Sequence, residues 1–187
     1  MATQLTFTDL PELQSDRLVL RKVVREDADA YYRNLGSSTA VARGMLWNPH
    51  KDITESVFSV EKTLRRYDEG NCWRWAVSLK GSAELIGIIE LLRFEDSGQS
   101  CSFAYMLGER FWGQGYGTEL LRTAFRFAFE VLGVRIIRAD HFEDNPASGR
   151  AMAKAGMSCI GKETGKYIKN GVSHDAILYE MYRENFD

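Results

Sequence analysis

Three glycines at every second position, Gly113, Gly115 and Gly117, stand directly before a strongly apolar helical pattern. Glycine reaches backbone conformations that other residues avoid, and it lets a ligand approach the backbone amides closely. The first N–H groups of the following helix would point outward without intrahelical partners, with the positive end of the helix dipole behind them. This arrangement predicts a pyrophosphate site, and two kinds of ligand suit it: a dinucleotide or coenzyme A.

The spacing of these glycines disfavours a dinucleotide. They follow a G-x-G-x-G pattern, whereas the dinucleotide fingerprint is G-x-G-x-x-G in a tight turn after a strand. Several residues, "GERFW", separate the preceding strand from Gly113, and the chain offers a single strand–helix–strand crossover. Asp140, at the end of the next strand, mimics a ribose-binding acid but does not outweigh these differences. Glycines that only relieve a crowded turn are the structural alternative.

Hydrophobic periodicity defines the elements that must position these glycines. Alternating or apolar runs predict strands at residues 17–23, 73–81, 84–94, 100–107, 134–142, 159–169 and 175–183. Helical spacing predicts helices at residues 25–35 and 52–70, from the glycine stretch to Gly133, and at residues 145–156. Antiparallel strands therefore precede the glycines, and a right-handed parallel crossover contains them. The pattern indicates one mixed α/β domain.

Composition restricts the classes of function. The 187 residues carry a net charge of −2, which argues against a general nucleic-acid binder. Three scattered cysteines without a C-x-x-C pair indicate a reducing compartment, and neither a disulfide framework nor a metal site. No apolar run approaches the roughly 20 residues that span a bilayer. We expect one soluble cytoplasmic domain over residues 1–187, with residues 1–14 as an N-terminal extension and without membrane or nucleic-acid partners.

Two motifs carry a family resemblance. The stretch "WGQGYGTELL" resembles the acyl-CoA loop of the GNAT acetyltransferases, Q/R-x-x-G-x-G/A, although Trp112 occupies its first position. The run "AYMLGERFWGQGYGTELL" is similar to the RimJ/RimL-like branch in particular. The stretch "NPASGRAMAKAGM" resembles that branch's later N-x-x-S and K-x-G-F signature, with Met157 in place of phenylalanine. The resemblance covers about residues 15–183. It implies a GNAT fold: a central mixed, mostly antiparallel twisted sheet of about seven strands, flanking helices, and one βαβ crossover at the acyl-CoA site.

The resemblance also implies how acetyl-CoA binds as a co-substrate. Gly113 would support the turn, and five residues would bind the pyrophosphate: Gln114, Gly115, Tyr116, Gly117 and Thr118. The pantetheine arm would pair with the strand edge at Tyr105, Met106 and Leu107. Asn145 would meet the pantetheine amides, although a plain helix cap is the structural alternative and both roles can coexist. No metal is implied.

Attack of an amine on a thioester requires a neutral amine, so a general base assists it. Glu90 is the candidate base, because it is the only charge between Glu84 and Arg93 in a run that is apolar on both faces. Burial there would raise its pKa towards the working range. The structural alternative is that Glu90 lies at the open end of the sheet and meets water or an arginine.

Ser148 is the candidate acid for the leaving thiolate. Many GNAT enzymes carry a tyrosine seven residues after the motif asparagine, where this chain has Met152, which cannot donate a proton. Ser148 lies one helical turn earlier on the same face, and RimL-like enzymes resemble this arrangement. Some of them also carry a glutamate in the late loop, where this sequence has Lys166, and this departure leaves the base open.

The resemblance implies a primary amine as the acceptor, on a peptide N-terminus or a small molecule. The loop "GMLWNPHK" at residues 44–51 and the late loop at residues 167–174 would wall its groove. Glu143 and Asp144 could attract the cationic amine, and Trp47 could line its pocket. For all three, a solvated or packing role is the simpler interpretation.

Several alternatives stay open at this point. The lone histidines His50 and His174 fit hydrogen-bonded or surface roles better than catalysis. The fold could also serve as a non-catalytic acyl-CoA sensor, and a dinucleotide oxidoreductase would require NAD binding. Homodimerisation through the late strands is a further option that the sequence does not decide.

Overall fold

The computed structural model describes residues 10–70 and 72–186. Its centre is one eight-stranded sheet in the order β1-β2-β3-β4-β5-β6-β8-β7. Neighbouring strands are antiparallel except β5 and β6, which pair in parallel. The strands are β1 (Leu13–Gln14), β2 (Leu18–Arg21), β3 (Trp73–Leu79), β4 (Gly87–Glu95), β5 (Ser100–Leu107), β6 (Ile136–Phe142), β7 (Ser158–Lys169) and β8 (Val172–Tyr182).

Within residues 10–70 and 72–186, five α-helices accompany the sheet. They are α1 (Asp27–Tyr31), α2 (Thr39–Arg43), α3 (Ile53–Asp68), α4 (Tyr116–Arg126) and α5 (Pro146–Ala155). Both α1 and α4 continue into a π-helical turn, at Tyr32–Gly36 and Phe127–Val131. The predicted crossover is confirmed, because α4 connects the parallel strands β5 and β6. Among the described residues, no helix is both long and apolar enough to cross a membrane.

The two faces of the sheet carry different side chains. On one face, Phe127 at the end of α4 packs on Trp73 and Trp75, with ring centroids 5.3 and 5.4 Å apart. Arg74 lies between these tryptophans in β3, so its side chain points to the opposite face. On that face, Arg74 pairs with the carboxylate of Glu90, which also pairs with a residue of α3. The first face is therefore an aromatic and aliphatic core, and the second contains buried charge.

The structure departs from the sequence predictions at three places. Residues 1–9 of the predicted N-terminal extension lie outside the described residues, while Leu13–Gln14 pair with β2 and add an eighth strand to the expected seven or so. Helical spacing predicts Ile53, Val57, Val60 and Leu64 on one apolar stripe of α3. Its buried face is instead formed by Ser56, Val60, Thr63 and Tyr67, and Ile53 and Val57 are exposed. Val131, predicted on the apolar stripe of the helix after the glycines, is also exposed, at the last residue of the π-helical turn.

Candidate functional site

Strands β5 and β6 pair for only three residues each and then separate. Their register joins Ser100–Ser102 of β5 to residues 136–138 of β6, although β5 continues to Leu107 and β6 to Phe142. Beyond these pairs, the facing edges of residues 103–107 and 139–142 are outside the ladder. An extended ligand can hydrogen-bond to such an edge as though it were another strand. Tyr105, Met106 and Leu107 lie on this edge of β5.

The glycine loop (residues 113–118) stands where β5 ends and α4 begins. Gly113 and Gly115 have φ angles of 74° and 83°, in the left-handed region that glycine reaches without strain. Gly115 is the N-cap of α4 and provides no side-chain cap, so the first N–H groups of α4 are left for a ligand or water. A Cβ on Gly117 would lie 3.6 Å from Cβ of Ala151, which reflects the close packing of α4 on α5.

Trp112 occupies the first position of the motif. Its side chain anchors the loop and does not present a polar group to a ligand. Its indole N–H donates to the carbonyl oxygen of Leu107 at 2.7 Å. The loop is thus fastened to the last residue of β5.

The start of α5 brings two polar residues to the same region. The hydroxyl oxygens of Ser148 and Tyr105 are 3.2 Å apart. Burial raises the pKa of Tyr105 and the Ser148 hydrogen bond opposes it, so the phenol stays protonated at neutral pH. The side chain of Asn145 makes no cap hydrogen bond to α5, contrary to the expected cap. Its amide nitrogen instead lies against Gly44, 2.6 Å from where a Cβ on that glycine would be. We call residues 103–118 and 145–148 the donor side.

Glu90 is buried, as expected, but it is not alone. Only 8% of the residue is exposed, and its two carboxylate oxygens receive Arg66 at 2.6 Å and Arg74 at 3.0 Å. Two guanidinium groups therefore compensate its charge, which is the situation that the structural alternative describes. Ala104, its cross-strand partner in β5, is exposed. Glu90 therefore lies next to an exposed part of the sheet surface at Ala104, beside the point where β5 and β6 separate. We call this part the open strip.

The two segments expected to wall the acceptor groove contact each other. The side-chain amides of Asn48 and Asn170 exchange two hydrogen bonds of 2.9 Å. Lys169 donates to the carbonyl oxygen of Ala42 at 2.6 Å, and burial lowers the pKa of this lysine. We call residues 44–51 together with the β7–β8 hairpin the acceptor side.

The histidines and Trp47 pack within the acceptor side. His50 hydrogen-bonds Ser56 through Nδ1 at 2.8 Å, and its ring lies 5.5 Å from that of Trp47. His174 stacks on Phe142, with ring centroids 4.9 Å apart. His50 thus has a hydrogen bond of the kind that the sequence favoured, whereas His174 stacks on an aromatic ring.

Asp140 was considered in the sequence only as a false ribose ligand, and the structure gives it a different environment. The Tyr167 hydroxyl donates to its two oxygens at 2.8 and 3.1 Å, and Lys166 pairs with it at 3.1 Å. Burial alone would lower the pKa of Lys166, but Asp140 and Glu163 raise it overall. Asp140 lies two residues beyond the last β5–β6 pair, as Ala104 does on β5. Two carboxylates therefore lie 3.1 Å from the Lys166 ammonium, Asp140 of β6 and Glu163 of β7. The contribution of β6 follows only from the three-dimensional pairing of the strands.

Glu143 is less available than the sequence suggested. Lys162 bridges it at 2.7 Å and Asp175 at 2.8 Å. Glu143 is thus part of an ion-pair network on the hairpin.

Comparisons with known proteins agree with this geometry. The family model described as "Acetyltransferase (GNAT) domain" matches residues 17–158. The chain is 26% identical to the uncharacterized N-acetyltransferase YoaA of Bacillus subtilis, over 92% of this chain and 97% of that protein. It is 25% identical to the ribosomal protein uS5-alanine N-acetyltransferase of Escherichia coli, over 89% of this chain and 88% of that protein.

Solved structures share the fold. A GNAT-family acetyltransferase from Bacillus anthracis superposes with a TM-score of 0.82 at 19% identity, covering 93% of this chain and 99% of that one. The ribosomal L7/L12 α-N-protein acetyltransferase RimL, solved with coenzyme A, gives a TM-score of 0.79 at 19% identity, covering 92% and 98%.

Proposed function

The chain belongs to the GNAT acetyltransferase family, and from this premise we propose that it transfers the acetyl group of acetyl-CoA to a primary amine. The acceptor is the α-amine of a peptide or the amine of a small molecule, and it attacks while both substrates are bound. The observation that carries the proposal is the separation of β5 and β6 beside an uncapped helix that begins with left-handed glycines.

The donor side supports a specific pose for acetyl-CoA. The pyrophosphate lies against residues 113–118 and accepts hydrogen bonds from backbone N–H groups, which the helix dipole strengthens. The pantetheine arm follows the free edge at Tyr105, Met106 and Leu107, and the side chain of Asn145 meets its amides. Two solved structures that share the fold contain acetyl-CoA or coenzyme A, which supports the choice of this ligand.

The names of relatives support amine acceptors of two kinds. The uS5 enzyme acts on an alanine of a ribosomal protein, and a Vibrio cholerae relative is a spermidine N(1)-acetyltransferase. In this chain, the groove between residues 44–51 and the β7–β8 hairpin is the proposed acceptor site. The hairpin part of this site carries ion pairs at Lys162 and Lys166, and residues 44–51 meet the hairpin through the amides of Asn48 and Asn170.

In the proposed reaction, the amine nitrogen attacks the thioester carbonyl carbon and forms the C–N bond. The C–S bond then breaks, and coenzyme A leaves as a thiolate. A backbone N–H at the end of β5, at Leu107, is the proposed oxyanion donor. Ser148 donates a proton to the thiolate, and the Tyr105 hydroxyl 3.2 Å away returns one to Ser148. The nitrogen releases one proton to solvent as it becomes an amide, and solvent restores the proton of Tyr105.

The proton of the ammonium must leave before attack, and two carboxylates border the open strip of the sheet. Glu90 is the base proposed from the sequence, but its arginine pairs also suit a role in holding β3, β4 and α3 together. Asp140 is the second candidate, held by a phenol and one lysine rather than by two arginines. The pH dependence of turnover in Glu90 and Asp140 variants separates them, as set out in the Discussion.

The central test combines acetyl-CoA with a panel of peptides and small amines, detecting thiol release and product mass. We expect an amide product with at least one amine, and stabilisation by coenzyme A but not by NAD. An acetyl ester would contradict the amine assignment. Binding of acetyl-CoA without transfer to any acceptor would instead support the non-catalytic sensor.

A further inference from the structure

Arg17 makes four contacts with the glycine loop and with the helix that follows it. Its Nε and Nη2 atoms meet Oε2 of Glu119 in α4, each at 2.7 Å. Its Nη1 donates to the carbonyl oxygen of Gln114 at 3.0 Å, and the guanidinium lies 4.4 Å above the ring of Tyr116. One side chain from the start of the sheet thus contacts three consecutive parts of the loop–helix junction.

The anchor of Arg17 is itself firmly held. Glu119 also accepts hydrogen bonds from the Ser15 hydroxyl and from the backbone N–H of Arg17, both at 2.7 Å. Burial alone would raise the pKa of Glu119, but these hydrogen bonds and the ion pair lower it overall. The carboxylate is therefore ionised at neutral pH, and Arg17 has a fixed position.

The contact with Gln114 determines the direction of a neighbouring donor. In a planar trans peptide, the C=O of one residue and the N–H of the next point in opposite directions. Because the Gln114 carbonyl turns towards Arg17, the N–H of Gly115 turns away from Arg17. Gly115 is the N-cap of α4, with φ of 83°, so its amide stands at the edge of the phosphate-binding loop.

The first position of the acyl-CoA motif, which could have contributed a polar group to the ligand, has a different role in this chain. Trp112 stands at that position, and its indole N–H is used by Leu107. We infer that Arg17 is a positioning residue that holds the Gln114–Gly115 peptide in the orientation that receives the pyrophosphate of an acyl-CoA. The inference rests on the proposed function, because its ligand is the pyrophosphate of coenzyme A.

The test measures coenzyme A affinity by calorimetry, which needs no acceptor. Arg17→Met removes all four contacts, and Arg17→Lys keeps the charge but loses the planar fork. Arg25→Met is the matched control, because Arg25 is 76% exposed and its ion pair with Glu61 is 3.9 Å long. We expect both Arg17 variants to weaken coenzyme A binding about tenfold, the effect of one lost charge-assisted hydrogen bond, and Arg25→Met to bind as the parent does.

A second ligand and a kinetic measurement distinguish positioning from other roles. Dephospho-coenzyme A keeps the pyrophosphate but lacks the 3′-phosphate, so we expect it to lose the same factor. With a productive acceptor, the KM for acetyl-CoA should rise while kcat at saturation stays near that of the parent. Full affinity in Arg17→Lys, or an unchanged dephospho-coenzyme A affinity, would overturn the inference by pointing to charge or to the 3′-phosphate.

Stability measurements complete the test. A kcat that falls together with the melting temperature would mean that Arg17 only supports the fold, and would also overturn the inference. A parent protein that binds neither ligand would refute the proposed function itself. A parent that binds coenzyme A and an Arg17→Met variant that binds it equally well would refute this inference alone.

Discussion

The donor side and the acceptor side are built by different means. The donor side consists mainly of backbone: a free strand edge, two left-handed glycines and the uncapped start of α4. The acceptor side consists of side-chain pairs between distant segments, such as Asn48 with Asn170 and Lys166 with Asp140. A backbone site tolerates most changes of side chain and binds one constant ligand. A side-chain site can be rebuilt pair by pair, which fits a family with one donor and many acceptors.

The largest effect should follow a change that blocks the donor backbone. Gly115→Val forces a branched residue into a left-handed conformation beside Arg17, whose Nη2 would be 3.3 Å from the new Cβ. We expect coenzyme A binding to weaken at least about a hundredfold through loss of two or more charge-assisted hydrogen bonds, measured by calorimetry.

Gly81→Val is the matched control for this prediction. Gly81 has φ of 80° and no atom within 4 Å of its Cβ position, in the turn between β3 and β4. Both variants carry left-handed strain of about 1–2 kcal/mol, but only Gly115→Val should lose the ligand. If the two variants bind coenzyme A equally, the donor side is not where we place it.

The next largest effect tests the role of the sheet face that contains buried charge. Glu90→Gln leaves Arg66 and Arg74 without their shared carboxylate, so we expect the free energy of unfolding to fall by about 3 kcal/mol. Denaturant titration measures this loss. We expect the pH–rate profile of the folded variant to match that of the parent, and that of Asp140→Asn to shift.

The opposite kinetic result would support Glu90 as the base, as the sequence predicts. A roughly hundredfold loss of turnover in Glu90→Gln at neutral pH, recovering as alkaline buffer deprotonates the amine, is the signature of a lost general base. Coenzyme A affinity is the control in both variants, because neither carboxylate touches the glycine loop.

A smaller effect concerns proton delivery on the donor side. A thiol with a pKa near 8.5 leaves readily as a thiolate and needs little help from a general acid. Ser148→Ala should therefore lower turnover only about tenfold. Tyr105→Phe should act in the same direction, because it removes the hydroxyl 3.2 Å from Ser148. Rapid-quench measurement of product formation isolates the chemical step. Full activity in both variants would mean that solvent protonates the thiolate.

The smallest effect concerns stability in acid, where Glu119, next to the glycine loop, is compared with Asp175 of the β7–β8 hairpin. Hydrogen bonds lower the pKa of Glu119, against the opposing effect of burial, and hydrogen bonds from Lys162 and Gly165 lower the pKa of Asp175. A lowered folded-state pKa gives stability that is present above the unfolded value near 4 and is lost as pH falls through the folded one. We therefore expect thermal stability to decline below about pH 4.5, with part of that decline missing in Glu119→Gln. An unchanged acid profile in that variant would contradict the ion pair.

The same difference in construction explains what the sequence could predict. Glycine before an apolar helix has few structural explanations, so the turn at Gly113 and Gly115 and the crossover that contains it were predictable. The insertion of β8 between β6 and β7 was not predicted. The pair Asn170-Gly171 is a sequence signal for a hairpin turn near the start of the connection between the last two predicted strands. Both residues have the positive φ that such a turn requires, 52° and 77°. These features depend on local backbone preference, which a sequence states directly.

Features that depend on pairing between distant segments escaped prediction. The burial of Glu90 was anticipated and an arginine partner was the stated alternative, but the sequence did not identify which arginines, because Arg66 approaches from α3 and Arg74 from β3. The partners of Asp140 were not anticipated, because they come from the late hairpin. Asn145 has the sequence position of a helix cap, yet its side chain turns to Gly44, which only the arrival of α2 explains.

The contact of Arg17 with Glu119 also has a consequence for folding over time. The two residues are 102 positions apart, and Ser15 is 104 positions from the same carboxylate. Closing so long a segment carries a large entropic cost, and non-local contacts of this kind form slowly. In a nascent chain, the residues around the first strands cannot make this contact until more than half of the protein has been synthesised. Under the proposed function, the appearance of coenzyme A binding during refolding therefore reports the docking of the first strands on α4, and not merely the formation of α4.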